Sequence, residues 1–163
     1  MPVKKSKVIT TAKPHTIKKF ELIEMYIKAW AQKLMLNNAC NGLIFIDCMC
    51  NSGVYKDING NIVYGTPIRV ANALLDVART YSDKQVFLYF NDLNTARVEE
   101  LKKHLPPDER NFKIITLNED ATELLDTIGP QLKESSHYHY FLLYDPYLSL
   151  IHISEPTRRR GIS

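Results

Sequence analysis

Cysteine is scarce in this 163-residue chain. There are three, an odd number, which argues against a disulfide framework and for a reducing cytoplasm. Six glycines and eight prolines are too few for a collagen-like or low-complexity chain. Long apolar runs are missing too, since none approaches the roughly 18 to 20 residues of a membrane span. The N-terminal lysines are not followed by the apolar stretch of a secretory signal. What is left is the composition of one globular domain, 45% hydrophobic and 24% charged, long enough to bury a core.

The formal charge of +3 dissolves when it is mapped. Residues 1–19 hold six lysines and no acid, and residues 148–163 hold three arginines against Glu155. Between them lie 12 basic and 17 acidic residues, so the body is acidic and only the ends are basic. A nucleic-acid-binding function therefore rests on the first 19 residues alone, where lysines would neutralise phosphates. The same composition suits a solvated arm.

Residues 1–15 show neither helical nor strand periodicity and read as a flexible basic arm. From Thr16, Phe20, Ile23, Ile27, Trp30 and Leu34 recur at spacings of three and four, which predicts an amphipathic helix of about five turns. Four short apolar runs follow: Leu43–Ile46, Val86–Phe90, Lys113–Leu117 and Tyr140–Tyr144. Runs of this kind suit strands buried on both faces of a parallel sheet. Helical segments alternate with them. Pro67 to Arg79 has Thr66 as its expected N-cap, Thr95 to Leu105 stops at Pro106-Pro107, and Asp120 to Ile128 is expected to close at Gly129-Pro130 with a further turn behind it. Asn59-Gly60 predicts a hairpin turn. The alternation predicts an α/β fold with βαβ units.

Each predicted strand ends on a polar residue: Asp47, Asn91 with Asp92, Asn118 and Asp145. Ligands of open α/β sheets bind outside these strand ends, near the reversal of strand order. Asx residues also cap loops and helices, so any one of them alone has a structural explanation. The turn Asp47-Cys48-Met49-Cys50-Asn51-Ser52-Gly53 is rich in small residues and expected to offer its amides to a ligand. It lacks GxGxxG, so it is not a dinucleotide fingerprint. Cys48 and Cys50 without a second Cys or His pair give no zinc spacing, so no metal is expected. His137-Tyr138-His139 reads as part of a surface loop.

The stretch Phe45-Ile46-Asp47-Cys48-Met49-Cys50-Asn51-Ser52-Gly53-Val54-Tyr55, followed by Gly65-Thr66-Pro67, resembles the bacterial and phage three-Cys-motif partner family. That family carries a motif of the type FIDxFAGxGxY followed by GSP. Lys19, Tyr26 and Trp30 match its preceding helix. Asn91-Asp92 and Asp145-Pro146-Tyr147 match its later elements. The resemblance covers Thr16 to Tyr147. It implies a Rossmann-like fold similar to S-adenosylmethionine-dependent methyltransferases, with a reaction that the family leaves unassigned. It further implies that Asp47, Ser52 and Gly53 line the methionine part of the cofactor, with Cys48 and Asn51 in the same turn among the cofactor-binding residues. Asn91 or Asp92 is implied to face the ribose, Asp120 and Ala121 the adenine, and Asp145, Pro146 and Tyr147 the acceptor. Asn51 stands where the family has glycine, and Asn91 where it has an acid. Asp-Pro-Tyr after a strand is also similar to the D/N-P-P-Y element of amino-group methyltransferases, which hold a base amine.

Two functions follow as expectations. One is a cytoplasmic methyltransferase-like protein using S-adenosylmethionine. The other is a non-catalytic accessory module that works with the three-Cys-motif, radical-enzyme-like protein for which the family is named. The run Leu148 to Arg158 resembles the in-frame translation of a transposase adapter used to build sequencing libraries; the alternative is a natural short strand and a basic tail. The resemblance implies that residues 148–163 carry no information on fold. It also implies that residues 16–147 are the N-terminal part of a longer Rossmann-like domain, inactive as it stands, with the fourth strand left as an unpaired edge.

Overall fold

The computed structural model describes residues 8–134, residues 136–145 and the backbone of 152–154. In chain order the elements are β1 (Thr10–Thr11), α1 (Pro14–Met35), β2 (Gly42–Asp47), β3 (Val54–Lys56), β4 (Ile62–Tyr64) and α2 (Thr66–Thr80). They continue with β5 (Gln85–Asn91), α3 (Thr95–Lys102), β6 (Phe112–Leu117), α4 (Ala121–Glu134), β7 (Tyr138–Tyr144) and β8 (His152–Ser154).

The main sheet has the order β6-β5-β2-β7-β8, in which the first four strands are parallel and β8 is antiparallel to β7. Numbered by their own succession, the parallel strands run 3-2-1-4. The order therefore reverses between β2 and β7, as in Rossmann-like folds. Alternation along the strands decides the faces. Leu43, Phe45, Val86, Leu88, Phe90, Phe141 and Leu143 pack against α1, α2 and α3, whereas Ile44, Ile46, Tyr89, Leu142 and Tyr144 pack against α4.

The first face is an aromatic core. Phe45 stacks on Phe141 at 5.8 Å, and Phe90 and Trp30 meet these rings edge-on. Each fully buried Phe or Leu here contributes roughly 1.5–3 kcal/mol. Among the described residues, the second face is covered by α4 alone. Phe87 and Tyr89 are accordingly half-buried, which corrects the expectation of strands buried on both sides.

Several element boundaries differ from the sequence reading. Thr10–Thr11 pairs in parallel with Tyr55–Lys56, and Pro14 already begins α1, so the expected arm is tied down before residue 15. Gly65, not Thr66, is the N-cap of α2, because Thr66 already has helical geometry. α4 runs through Gly129 and Pro130 without a break. Leu125, Ile128 and Leu132 keep the helical spacing across Pro130 and pack on Ile46 and Cys48, which outweighs the lost backbone hydrogen bond. Tyr138 and His139 belong to β7, not to a surface loop. β7 is not an unpaired edge throughout, since Leu142–Tyr144 pairs with residues 152–154. An open row of strand amides is a template for any extended segment, so this pairing requires no special sequence.

Asn59-Gly60 does make the turn of a hairpin, β3-β4, with Gly60 at φ +81. This hairpin stands outside the main sheet and forms a second sheet with β1. Among the described residues no helix is long and apolar enough to cross a membrane.

Candidate functional site

The loop after β2 is bound tightly into its surroundings. Asn51 and Gly53 both adopt left-handed backbone, with φ +60 and +72, so the chain folds back sharply around Ser52. The Cys48 amide donates to the Leu143 carbonyl at 3.0 Å and the Cys50 amide to the Asn91 carbonyl at 2.8 Å. The Met49 amide donates to Asp47 Oδ1, the Asn51 amide to Asp92 Oδ2 at 2.9 Å, and the Ser52 amide to Asn51 Oδ1 at 2.6 Å. Every amide from Cys48 to Ser52 thus has a partner within the protein. The expectation that this loop offers them to a ligand is corrected: three nearby carboxylate or amide side chains take three of them, and two strand-end carbonyls take the others.

The polar strand ends divide into braces and acids. Asn91 is 0% exposed. Its Nδ2 donates to the carbonyls of Cys48 and Glu119 at 3.0 and 2.9 Å, and its Oδ1 accepts the Glu119 amide at 2.9 Å. Those contacts fix the loops after β2 and β6 to the end of β5 and leave Asn91 no face toward a ribose. Asn118 does the same further out, donating to the carbonyls of Asp92 and Leu93. Asp120 accepts the amides of Thr122 and Glu123 and so caps α4, whose first residue is the buried Ala121. Asp92 accepts the Asn51 amide on one oxygen and the Asn94 amide on the other. An ionised carboxylate has about four acceptor positions, so Asp92 keeps room for further donors.

Asp47 and Asp145 flank the reversal of strand order. Asp47 ends β2 and is 3% exposed, and Asp145 follows β7 and is 7% exposed. Lys19, from the first half of α1, reaches across the crevice to Asp145 Oδ2 at 3.4 Å. Beneath it is a cavity of about 10 Å³, lined among others by Lys19, Asp47, Asp145, Tyr55 and Thr66. That volume holds about one water molecule. Tyr55 is locked there, its ring 4.9 Å from that of Phe20 and pressed on Gly65, where an added Cβ would come within 2.5 Å of the ring.

Burial pushes the Asp47 carboxyl from its ordinary value up to about 7, and the carboxylates of Asp145 and Asp92 add to this against the opposing Met49 hydrogen bond. The same burial, together with Asp47, pushes Cys48 up to about 12 and Cys50 well above its usual range. Both are protonated thiols near neutrality, a poor state for nucleophilic or metal chemistry. Among the described residues no group of three or more His, Cys, Asp or Glu side chains could hold a metal ion.

Sequence reasoning quoted Tyr55 and Thr66 in the family motif, and Thr66 as a helix cap, without a site role; it placed Lys19 in the basic arm and in the resemblance, and did not single out Arg97. Arg97 on α3 acts electrostatically on Cys50 and Tyr55, and its buried Nε has no hydrogen-bond partner among the described residues. Pro146 and Tyr147 lie outside the described residues. The strand order and the acid-lined crevice define a Rossmann-like α/β protein. Beyond that class, no protein-family model, curated protein or solved structure matches the chain.

Proposed function

We propose that the crevice between β2 and β7 is a site for S-adenosylmethionine, and that the chain is methyltransferase-like in the manner of the three-Cys-motif partner family. The observation that carries this reading is the placement of Asp47, Asp92 and Asp145 at the C-terminal ends of three adjacent strands, two of them flanking the reversal of order. S-adenosylmethionine bears an ammonium and a ribose diol, which donate hydrogen bonds to carboxylates, and a sulfonium, which a carboxylate attracts by charge alone. Asp92 is the residue for the diol, since Asn91 has its donors and its acceptor engaged elsewhere. Asp47 suits the ammonium, and its carboxyl would lose its proton as that cation arrives. When bound, the cofactor supplies an electrophilic methyl group.

Calorimetric titration of the protein with S-adenosylmethionine tests the reading. Saturable heat that disappears in Asp92→Ala supports it, and no heat at millimolar cofactor sinks it. The second reading, an accessory module without chemistry, is favoured by one specific feature: the loop amides from Cys48 to Ser52 are already engaged. Co-purification with a three-Cys-motif protein, combined with failure to bind the cofactor, would select it.

A further inference from the structure

We infer that Asn59 is a site of spontaneous covalent modification, in which the Gly60 nitrogen attacks the Asn59 side chain and converts it to aspartate or isoaspartate. Asn41, which also precedes a glycine, is held intact by the sheet. The inference is independent of what the crevice binds.

The chemistry is a ring closure. Hydroxide removes the proton of the Gly60 amide, and the nitrogen bonds to Asn59 Cγ. The Cγ–Nδ2 bond breaks, and that nitrogen takes a proton from water and leaves as ammonia. Water then opens the resulting succinimide. Cleavage at the side-chain carbonyl gives aspartate. Cleavage at the main-chain carbonyl gives isoaspartate, with the side-chain methylene now in the backbone. Nothing is oxidised or reduced, and water is the only co-reactant. A following glycine favours the closure, because no Cβ obstructs the approach.

The two Asn-Gly pairs have opposite surroundings. Asn59 and Gly60 are exposed at the tip of the β3–β4 hairpin, and a Cβ on Gly60 would meet nothing within 4 Å. The Gly60 amide donates to the Asp57 carbonyl at 3.0 Å, and the amides of Asn59 and Asn61 donate to Asp57 Oδ1 at 2.9 Å. The first of these bonds must open before the nitrogen can react. Opening costs little at this tip, because its apolar side chain, Ile58, is already 69% exposed.

Asn41 is pinned on both sides. Its amide donates to the His137 carbonyl at 2.7 Å, and its carbonyl accepts the Gln85 amide at 3.1 Å. Gly42 is buried at the start of β2, where a Cβ would collide with the Gln85 carbonyl oxygen and the Tyr138 ring. Bringing the Asn41 side chain onto the Gly42 nitrogen therefore disrupts the start of two strand pairings. Asn51-Ser52 is protected differently. The Ser52 nitrogen is 2.6 Å from Asn51 Oδ1, but its proton lies in that hydrogen bond and Ser52 is 0% exposed, out of reach of hydroxide.

Modification places a new carboxylate beside Asp57 at the hairpin tip. Isoaspartate also lengthens the turn, so the amides at 59 and 61 no longer share Asp57 Oδ1. The main sheet is untouched, because the hairpin stands outside it.

Incubating the whole chain at pH 8 and 37 °C, followed by digestion and mass spectrometry, tests this. A gain of about 1 Da should localise to Asn59, several-fold faster than at Asn41 or Asn51. The gain should be slower at pH 6 and absent from Asn59→Gln. Electron-based fragmentation should find both aspartate and isoaspartate. In guanidinium chloride the preference for Asn59 over Asn41 should vanish, since both then react as exposed Asn-Gly pairs. Equal rates at Asn41 and Asn59 in the folded chain would overturn the inference. So would an Asn59 that stays intact in the folded chain while it reacts in the unfolded one, or aspartate formed without isoaspartate.

Discussion

Asp47 dominates the chemistry at the scale of single residues. Its carboxyl ordinarily loses a proton near 3.8 and in the folded protein holds it to about 7. The folded state thus binds the proton more tightly than the unfolded chain. This residue's contribution to stability is complete below pH 4 and falls as the pH rises to 7. The total is of the order of 4 kcal/mol. Asp47→Asn keeps the acceptor for the Met49 amide and removes the charge. Urea unfolding at pH 8 should find the variant more stable than wild type by up to a few kcal/mol, and at pH 4 the difference should vanish. A pH-independent difference would contradict the burial argument.

Asn91 gives the opposite case, a polar residue whose value is structural. Asn91→Leu leaves the Glu119 amide and the carbonyls of Cys48 and Glu119 without partners. Unmet buried groups of this kind cost about 2–4 kcal/mol together, so the Tm should drop by about 5 to 10 °C. Asn91→Asp should be no milder, because a carboxylate cannot donate to two carbonyls. That sign matters, since an acid is what the resemblance leads one to expect at this position.

Elements were legible where their signal was local and repeated. The four apolar runs became β2, β5, β6 and β7, and spacing of three and four in residues 20–34 became α1. Where a residue's behaviour is decided by what packs on it, the sequence was silent or misleading. β1 is only two residues long and exists because Tyr55–Lys56 offers a partner. Pro130 reads as a stop signal, but the apolar stripe of α4 holds the helix on the sheet on both sides of it. A proline inside a helix costs about 3 kcal/mol against alanine, part of which it recovers by restricting the unfolded chain. Pro130→Ala is therefore expected to raise the Tm by a few degrees in a thermal melt; a fall would mean that the ring itself packs.

The whole molecule shows why the site was only half readable. Strand-end acids are visible one at a time in sequence, whereas only the fold brings Asp47 and Asp145 beside each other across the β2–β7 reversal. The contact of Lys19 with Asp145 joins residues 126 positions apart, and no spacing rule could announce it. The engagement of the loop amides was hidden for the same reason, because their acceptors sit on β5 and β7 and on side chains turned back onto the loop.

The central claim is that this crevice receives S-adenosylmethionine. The most direct measurement is the amide NMR spectrum of the protein recorded with rising cofactor concentration. The account predicts saturable shifts at Met49, Asn51, Ser52 and Asn94, the amides held by or beside Asp47 and Asp92, with the last turns of α2 and the β3–β4 hairpin turn unchanged. A spectrum that stays the same at millimolar cofactor, or that changes only outside the strand ends, would contradict it.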